Sequence, residues 1–376
     1  MRPSSTARLL ALGGALLVAG CSALQLDEAL VPPATGFAPA PPLEQVWRRE
    51  VPGGFGPSAP LPVGSLLLLG TASGDLVALD RRTGARAGSH AFGESVEGAI
   101  VVAPDGQTVV VPVARGRATV RAYDARSGRE RWRWTGTPVT GGVVLVGSTV
   151  VASTRNGRTV GLDLATGAER WAHEAPAGTQ IQAAPVALGD GCVVVATDRG
   201  TVVALDAQTG GEVWTADAGA PVYHTPSVFD GRLAVATTRG RLVVLDAATG
   251  EVAWALDVGT GVRLSPPAIG PDGVLVGGSD GSVRSVDASS GAERWTHEGT
   301  GAVAVRPLVS DGRVYVGTLD RTFVVLDATT GASQWSTELR GRVRGAPVAA
   351  DGAVYLLTEP RHVVAFRTAR SQPPSP

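Results

Sequence analysis

The residues that could perform chemistry are few in this chain, and their spacing argues against a catalytic centre. There are five histidines: His90, His173, His224, His297 and His362. None of them has a further histidine or a cysteine at the spacing of a zinc site. All 33 basic residues are arginine, so a phosphate-binding loop that ends in lysine is impossible. We therefore expect no metal, no cofactor and no enzymatic activity.

Charge and composition narrow the possible partners and the fold. The formal net charge is −1 at pH 7, and no basic stretch could follow a phosphate backbone, so nucleic acid is excluded as a partner. The chain contains 50 glycines and 26 prolines, which is typical of a protein with many tight turns. Its 44% hydrophobic residues can still form a large core.

The first residues indicate export. Arg2 and Arg8 precede an apolar run over residues 9–19, which is too short to span a bilayer of about 30 Å. The run ends in Val18-Ala19-Gly20-Cys21, which resembles the lipobox of bacterial lipoproteins. Residues 1–20 are thus predicted to be a lipoprotein signal peptide and Cys21 the lipidated residue. An ordinary signal peptide with a chance cysteine is the alternative.

Two flanking segments lack any periodic pattern. Residues 21–43 contain Pro32-Pro33 and Pro41-Pro42 and are predicted to form a lipidated, proline-rich tether. Residues 369–376 are predicted to be a disordered tail. The folded domain is therefore expected to span residues 44–368.

A repeat of roughly 40 residues decides the fold. Aspartate is followed after four residues by glycine and after four more by tryptophan, at Asp124/Gly128/Trp132, Asp163/Gly167/Trp171, Asp206/Gly210/Trp214, Asp246/Gly250/Trp254, Asp287/Gly291/Trp295 and Asp327/Gly331/Trp335. Asp80 and Gly84 match too, with Gly88 in place of tryptophan. Each aspartate follows a β-branched run that indicates a strand, and Asp-Gly pairs such as Asp230-Gly231 indicate hairpins. Each repeat is therefore four antiparallel strands, the unit of a propeller blade.

The number of blades follows from the ends of the repeat region. The last repeat stops after His362–Phe366 and lacks a tryptophan strand, whereas Trp47 is a tryptophan strand with nothing before it. Together they complete one blade, which predicts an all-β, eight-bladed propeller closed by the N-terminal strand. The recurring indoles are predicted to dock neighbouring blades: Trp47, Trp132, Trp171, Trp214, Trp254, Trp295 and Trp335.

The repeat Leu245-Asp246-Ala247-Ala248-Thr249-Gly250, with Trp254 after it, resembles the PQQ-like repeat over residues 45–367. With the lipobox and eight blades, the chain is most similar to the BamB family, lipoprotein subunits of the outer-membrane β-barrel assembly machinery. This resemblance implies a non-catalytic scaffold, monomeric within a complex, that binds the barrel-inserting subunit or unfolded outer-membrane proteins. It also implies lipid anchoring in the outer membrane with the propeller in the periplasm.

Two alternatives remain. One is another envelope propeller lipoprotein that binds a protein or a polysaccharide. The other is a quinoprotein dehydrogenase, the enzymatic branch of the same superfamily, which generally needs calcium ligands and often a Cys-Cys pair; this chain has no Cys-Cys pair and a single asparagine, Asn156.

Partner-facing residues are predicted from the first strand of each blade, which carries a proline. Counting three residues back from that proline gives Gln182, Tyr223, Arg263, Ala304 and Arg344, and Glu97 is the matching position in the second repeat. These positions vary chemically where their neighbours repeat. We expect them to face the central channel, either as a partner site or as a solvated pore without a ligand.

Overall fold

The computed structural model describes residues 37–56, 58–114, 119–139, 141–259 and 261–369. Within these ranges the chain forms eight antiparallel sheets of four strands each, and the helical structure is limited to a 3₁₀ turn, Gly189–Gly191. The predicted signal peptide, Cys21, most of the tether and residues 370–376 of the predicted tail lie outside the described residues. The prediction of an eight-bladed all-β propeller is confirmed.

The strands follow the chain blade by blade, and blade 8 takes its outer strand from the N-terminus. That strand is β1 (Leu43–Glu50). Blade 1 contains β2 (Leu61–Val63), β3 (Leu66–Gly70), β4 (Asp75–Asp80) and β5 (Arg86–Ala91). Blade 2 contains β6 (Val101–Val102), β7 (Thr108–Pro112), β8 (Val120–Asp124) and β9 (Glu130–Trp134). Blade 3 contains β10 (Val143–Val146), β11 (Thr149–Ser153), β12 (Arg158–Asp163) and β13 (Glu169–Glu174).

The remaining blades repeat this order. Blade 4 contains β14 (Val186–Ala187), β15 (Cys192–Ala196), β16 (Thr201–Asp206) and β17 (Glu212–Asp217). Blade 5 contains β18 (Ser227–Phe229), β19 (Arg232–Ala236), β20 (Arg241–Asp246) and β21 (Val252–Asp257). Blade 6 contains β22 (Ala268–Gly270), β23 (Gly273–Gly277), β24 (Val283–Val286) and β25 (Glu293–His297). Blade 7 contains β26 (Leu308–Ser310), β27 (Arg313–Gly317), β28 (Thr322–Asp327) and β29 (Ser333–Glu338). Blade 8 contains β30 (Val348–Ala350), β31 (Ala353–Thr358), β32 (His362–Thr368) and β1.

The ring closes where the sequence predicts. β1 pairs antiparallel with β32, from Leu43 opposite Thr368 to Glu50 opposite His362. The first strands of neighbouring blades contact one another, as β10 does with β14 and β18 with β22, so these strands surround the central axis. Because the eight blades form a closed ring, every blade has a neighbour on both sides. The exposed edge that a linear array of blades would leave is therefore removed.

The core lies between the sheets. The second and third strands of each blade are buried over most of their length, as in β19 and β20, because both of their faces are covered by neighbouring blades. This is why these strands are nearly continuous runs of Val, Leu and Ala rather than alternating patterns. The outer strands, such as β17 and β21, alternate between exposed and half-buried positions.

The Asp-Gly hairpins are only partly as predicted. Asp230, Asp311 and Asp351 have φ of 45°, 51° and 49°, and the glycine after each is also at positive φ. Both central residues of a type I′ turn require this conformation. In blade 6, Gly270 pairs with Gly273, so the turn centres on Pro271-Asp272, and proline cannot adopt positive φ.

The N-terminal segment 37–42 is bound to the propeller. The amide of Ala38 donates to Ser310 Oγ (3.1 Å) and Asp311 Oδ2 (3.2 Å), and the Tyr315 hydroxyl donates to the Pro39 carbonyl (2.7 Å). These contacts place residues 37–42, which the sequence analysis assigned to the proline-rich tether, on the surface of the propeller.

Candidate functional site

The interfaces between neighbouring blades, here called seams, are built around the recurring indoles. Six of the seven donate Nε1–H to a backbone carbonyl of the next blade at 2.8–3.1 Å: Trp47 to Arg81, Trp132 to Leu164, Trp171 to Ala207, Trp214 to Ala247, Trp254 to Ala288 and Trp295 to Ala328. In every case the acceptor is the residue after the repeat aspartate, in the loop between the third and fourth strands. We call this loop the docking turn.

The glycine of each docking turn allows the indole to approach. At Gly250, φ is +75°, and an added Cβ would lie 2.4 Å from the Trp214 ring. The turn itself is held by Asp246 Oδ1, which accepts from the amides of Ala248 and Thr249 at 2.9 Å. Those two amides, together with the Thr249 hydroxyl, hold the pKa of Asp246 below its usual value.

Trp335 has a different environment. It packs edge-on against Phe323 and Phe366, with ring centroids 5.9 and 6.0 Å away. Blade 8 has no docking turn at this seam, because its outer strand comes from the other end of the chain. Ala38 and Leu43 take part in the apolar cluster here instead.

Two seams use side chains that the sequence analysis missed. At the seam between blades 2 and 3, buried Trp134 donates to Glu169 Oε2 (3.2 Å); it lies two residues after Trp132, hence on the same strand face. In blade 1, where Gly88 replaces tryptophan, the rings of His90, Phe92 and Tyr123 pack within 4.9 Å of one another.

Most of the residues predicted to face the channel, here called the channel ring, occupy equivalent positions in their repeats, as their neighbouring backbone hydrogen bonds show. The amide before Glu97, that of Val96, donates to Thr71 O (2.9 Å), and the amide before Arg344, that of Val343, donates to Thr318 O (3.1 Å). The same holds in blades 4, 5 and 7. In each, a carbonyl accepts a hydrogen bond from the turn between the second and third strands, and the predicted residue comes two positions later: Gln182, Tyr223 and Ala304.

Arg263 is two residues out of register. Its carbonyl accepts from Ser279 N (2.8 Å), as that of Arg342 does from Glu359 N (2.8 Å), so Arg263 corresponds to Arg342. Ser265 occupies the ring position instead. The counting from Pro266 was misleading because two prolines stand there and because this segment is one residue shorter than in blade 8.

A cavity of about 460 Å³ opens at one end of the channel. Its lining comes from the segments leading into blades 1, 2, 7 and 8, and from the second-to-third-strand turns of blades 1 and 8: Gly54, Phe55, Gly56, Ala72, Glu97, Ala304, Val305, Val343, Arg344, Thr358, Glu359 and Pro360. We call it the channel-mouth cavity. The structure thus brings Glu97, Ala304 and Arg344 together, whereas Gln182, Tyr223 and Arg263 do not line it.

A partly buried arginine lies further along the channel wall. Arg306, two residues after Ala304, donates to the carbonyls of Thr225 (3.0 Å) and Pro226 (3.1 Å), two blades away. Burial lowers the pKa of Arg306. Burial also lowers the pKa of His224, and the charge of Arg306 acts in the same direction.

Among the described residues, no cluster of three or more His, Cys, Asp or Glu could hold a metal. Gly277-Gly278-Ser279-Asp280-Gly281 matches Gly-x-Ser-x-Gly. It lies in a strand–turn–strand between β23 and β24, whereas a nucleophile elbow requires strand–turn–helix. In the part of the chain that the structure describes, no helix is long and apolar enough to cross a membrane.

Comparison with known families supports the repeat assignment. A family model described as outer membrane protein assembly factor BamB matches residues 43–183, 176–306 and 279–371. The chain belongs to the BamB family of PQQ-like propellers. The matched ranges together cover every blade, including β1 and β32, which close the ring.

Individual relatives of this BamB family member are distant. An outer membrane protein assembly factor BamB from Burkholderia pseudomallei is 26% identical over 180 residues, which is 46% of this chain and 46% of the relative. The match therefore spans less than half of the relative's length.

Three solved structures share the fold. BamB from Moraxella catarrhalis is 21% identical with a TM-score of 0.72, over 86% of this chain and 99% of that one. A quinohemoprotein alcohol dehydrogenase from Pseudomonas putida is 16% identical with a TM-score of 0.75, over 91% and 80%. The computationally designed Ika8 protein is 18% identical with a TM-score of 0.71, over 92% and 99%. A BamB protein, an alcohol dehydrogenase and a designed protein share this architecture, so the fold does not select a function.

Proposed function

We propose that this chain is a non-catalytic, protein-binding scaffold that supports the assembly and insertion of outer-membrane β-barrel proteins. The observation that carries the proposal is the BamB family match over residues 43–371, which covers the whole closed ring. Its partners are the barrel-inserting subunit, unfolded outer-membrane proteins, or both. The protein is anchored through acylated Cys21 in the outer membrane, with the propeller in the periplasm.

The placement of the N-terminal segment supports this arrangement. Residues 37–42 contact the hairpin turns between the first and second strands of blades 7 and 8, where Gly352 N donates to Phe37 O (3.2 Å). The channel-mouth cavity is lined by Glu359 and Pro360, in a turn between second and third strands. Because strands alternate in direction, these two sets of turns lie on opposite faces of the disc. Phe37 thus lies on one face of the disc, and the cavity opens on the other, where a partner can reach it.

Purification from the native envelope tests the proposal. The full-length tagged protein, isolated from detergent-solubilised outer membranes, should retain the barrel-inserting subunit. Cys21→Ala should move the protein from the membrane fraction to the soluble periplasmic fraction. Retention of a different envelope protein or of a polysaccharide, without the barrel-inserting subunit, would favour the alternative scaffold role. A quinone absorbance after addition of PQQ and calcium would contradict a non-catalytic role.

A further inference from the structure

The channel-mouth cavity has the chemistry to recognise a partner. We propose that it takes a basic side chain, arginine or lysine, from a protein partner, with the Glu97 carboxylate as the acceptor. The proposal rests on the scaffold function above and specifies the chemistry of its partner. It is carried by the charges, walls and backbone approach of the cavity.

Glu97 is a half-buried carboxylate with spare acceptor capacity. Its Oε1 accepts from Ser95 Oγ at 2.5 Å, and among the described residues no arginine or histidine forms an ion pair with it. A carboxylate has about four lone-pair positions, so one hydroxyl leaves most of them open. The carboxylate can therefore accept a donor from outside.

The other charged groups of the cavity are already paired. Glu359 accepts from Arg344 Nε at 2.5 Å and lies 3.9 Å from Arg342 Nε. Glu97 is therefore the charged group of the lining that has no ionic partner among the described residues. An unpaired carboxylate in a concave site favours a cation over an anion.

The walls suit the aliphatic part of a long basic side chain. Phe55, Val305 and Val343 line the cavity, and arginine and lysine bury their methylene groups against such surfaces while the charged end reaches a polar partner. Gly56 packs directly against the backbone of Glu97, since a Cβ there would lie 2.7 Å from Glu97 Cα. The carboxylate therefore shares the cavity with apolar side chains and closely packed backbone.

The test uses two blocked tripeptides, acetyl-Gly-Arg-Gly-amide and its neutral citrulline analogue, titrated into the isolated mature protein and followed by NMR at low salt. The arginine peptide should bind at least about fivefold more tightly than the citrulline peptide. Glu97→Gln should weaken arginine binding by about fivefold. Arg344→Gln should strengthen it by about threefold, because it removes a cation and releases Glu359.

Glu298→Gln is the matched control, since Glu298 is an exposed carboxylate on blade 6 and does not line the cavity; it should leave binding unchanged. Equal affinity for both peptides overturns the proposal, and this comparison needs only the wild-type protein. Tighter binding of the arginine peptide by Glu97→Gln, or weaker binding by Arg344→Gln, also overturns it. If the barrel-inserting subunit is still retained by Glu97→Gln at wild-type level, the cavity proposal fails while the scaffold function stands.

Discussion

Replacing Trp171 tests whether the indoles hold the propeller together. Trp171 is 8% exposed, its Nε1–H donates to Ala207 O at 2.9 Å, and its ring covers Gly210, where an added Cβ would lie 2.5 Å away. Trp171→Ala should reduce the free energy of unfolding by about 3–5 kcal/mol, as for other buried aromatic side chains. Trp171→Phe keeps most of the ring but leaves the Ala207 carbonyl without its donor, which costs about 1–2 kcal/mol.

Trp335→Phe is the matched control because no carbonyl acceptor for its indole is present among the described residues. It should lose about 1 kcal/mol less than Trp171→Phe. Urea unfolding followed by circular dichroism measures all three variants without relying on indole fluorescence. The reasoning is refuted if the two phenylalanine variants lose equal stability, or if Trp171→Ala loses less than about 1 kcal/mol.

Three further predictions concern the turns and the N-terminal segment. Gly250→Ala should lower the free energy of unfolding by about 2 kcal/mol or more, because the added Cβ is strained at positive φ and meets the Trp214 ring. Gly189→Ala is the control: it has open space around it and should leave the thermal unfolding midpoint unchanged. The Thr209 hydroxyl and amide lower the pKa of Asp206 from 3.8, so this turn stabilises the fold above that pH and loses its contribution as the pH falls through the lowered value. Unfolding midpoints between about pH 5 and pH 2 should therefore fall less steeply in Asp206→Asn than in wild type. Tyr315→Phe removes the hydrogen bond to the Pro39 carbonyl, so it should lower the free energy of unfolding by about 1 kcal/mol and speed hydrogen exchange within residues 37–42. Unchanged exchange would contradict the role of this bond.

The sequence by itself determined the repeat, the number of blades and the closing pair. These follow from local chemistry that recurs: a strand of β-branched residues, an aspartate that holds its own turn, a glycine at positive φ and an indole at fixed spacing. Because each blade meets a copy of the same unit, one repeat contains the information for almost every seam, and the incomplete first and last repeats identify β1 and β32 as partners.

The tertiary structure decided what depends on register across blades. The shorter segment before β22 places Ser265 rather than Arg263 on the channel ring, and counting back from Pro266 cannot show that this segment is one residue shorter. The packing of residues 37–42 on blades 7 and 8, and the meeting of Glu97 with Arg344 and Glu359 at one cavity, join parts of the chain that are more than 200 residues apart. Such contacts are set by ring closure, which no single repeat encodes.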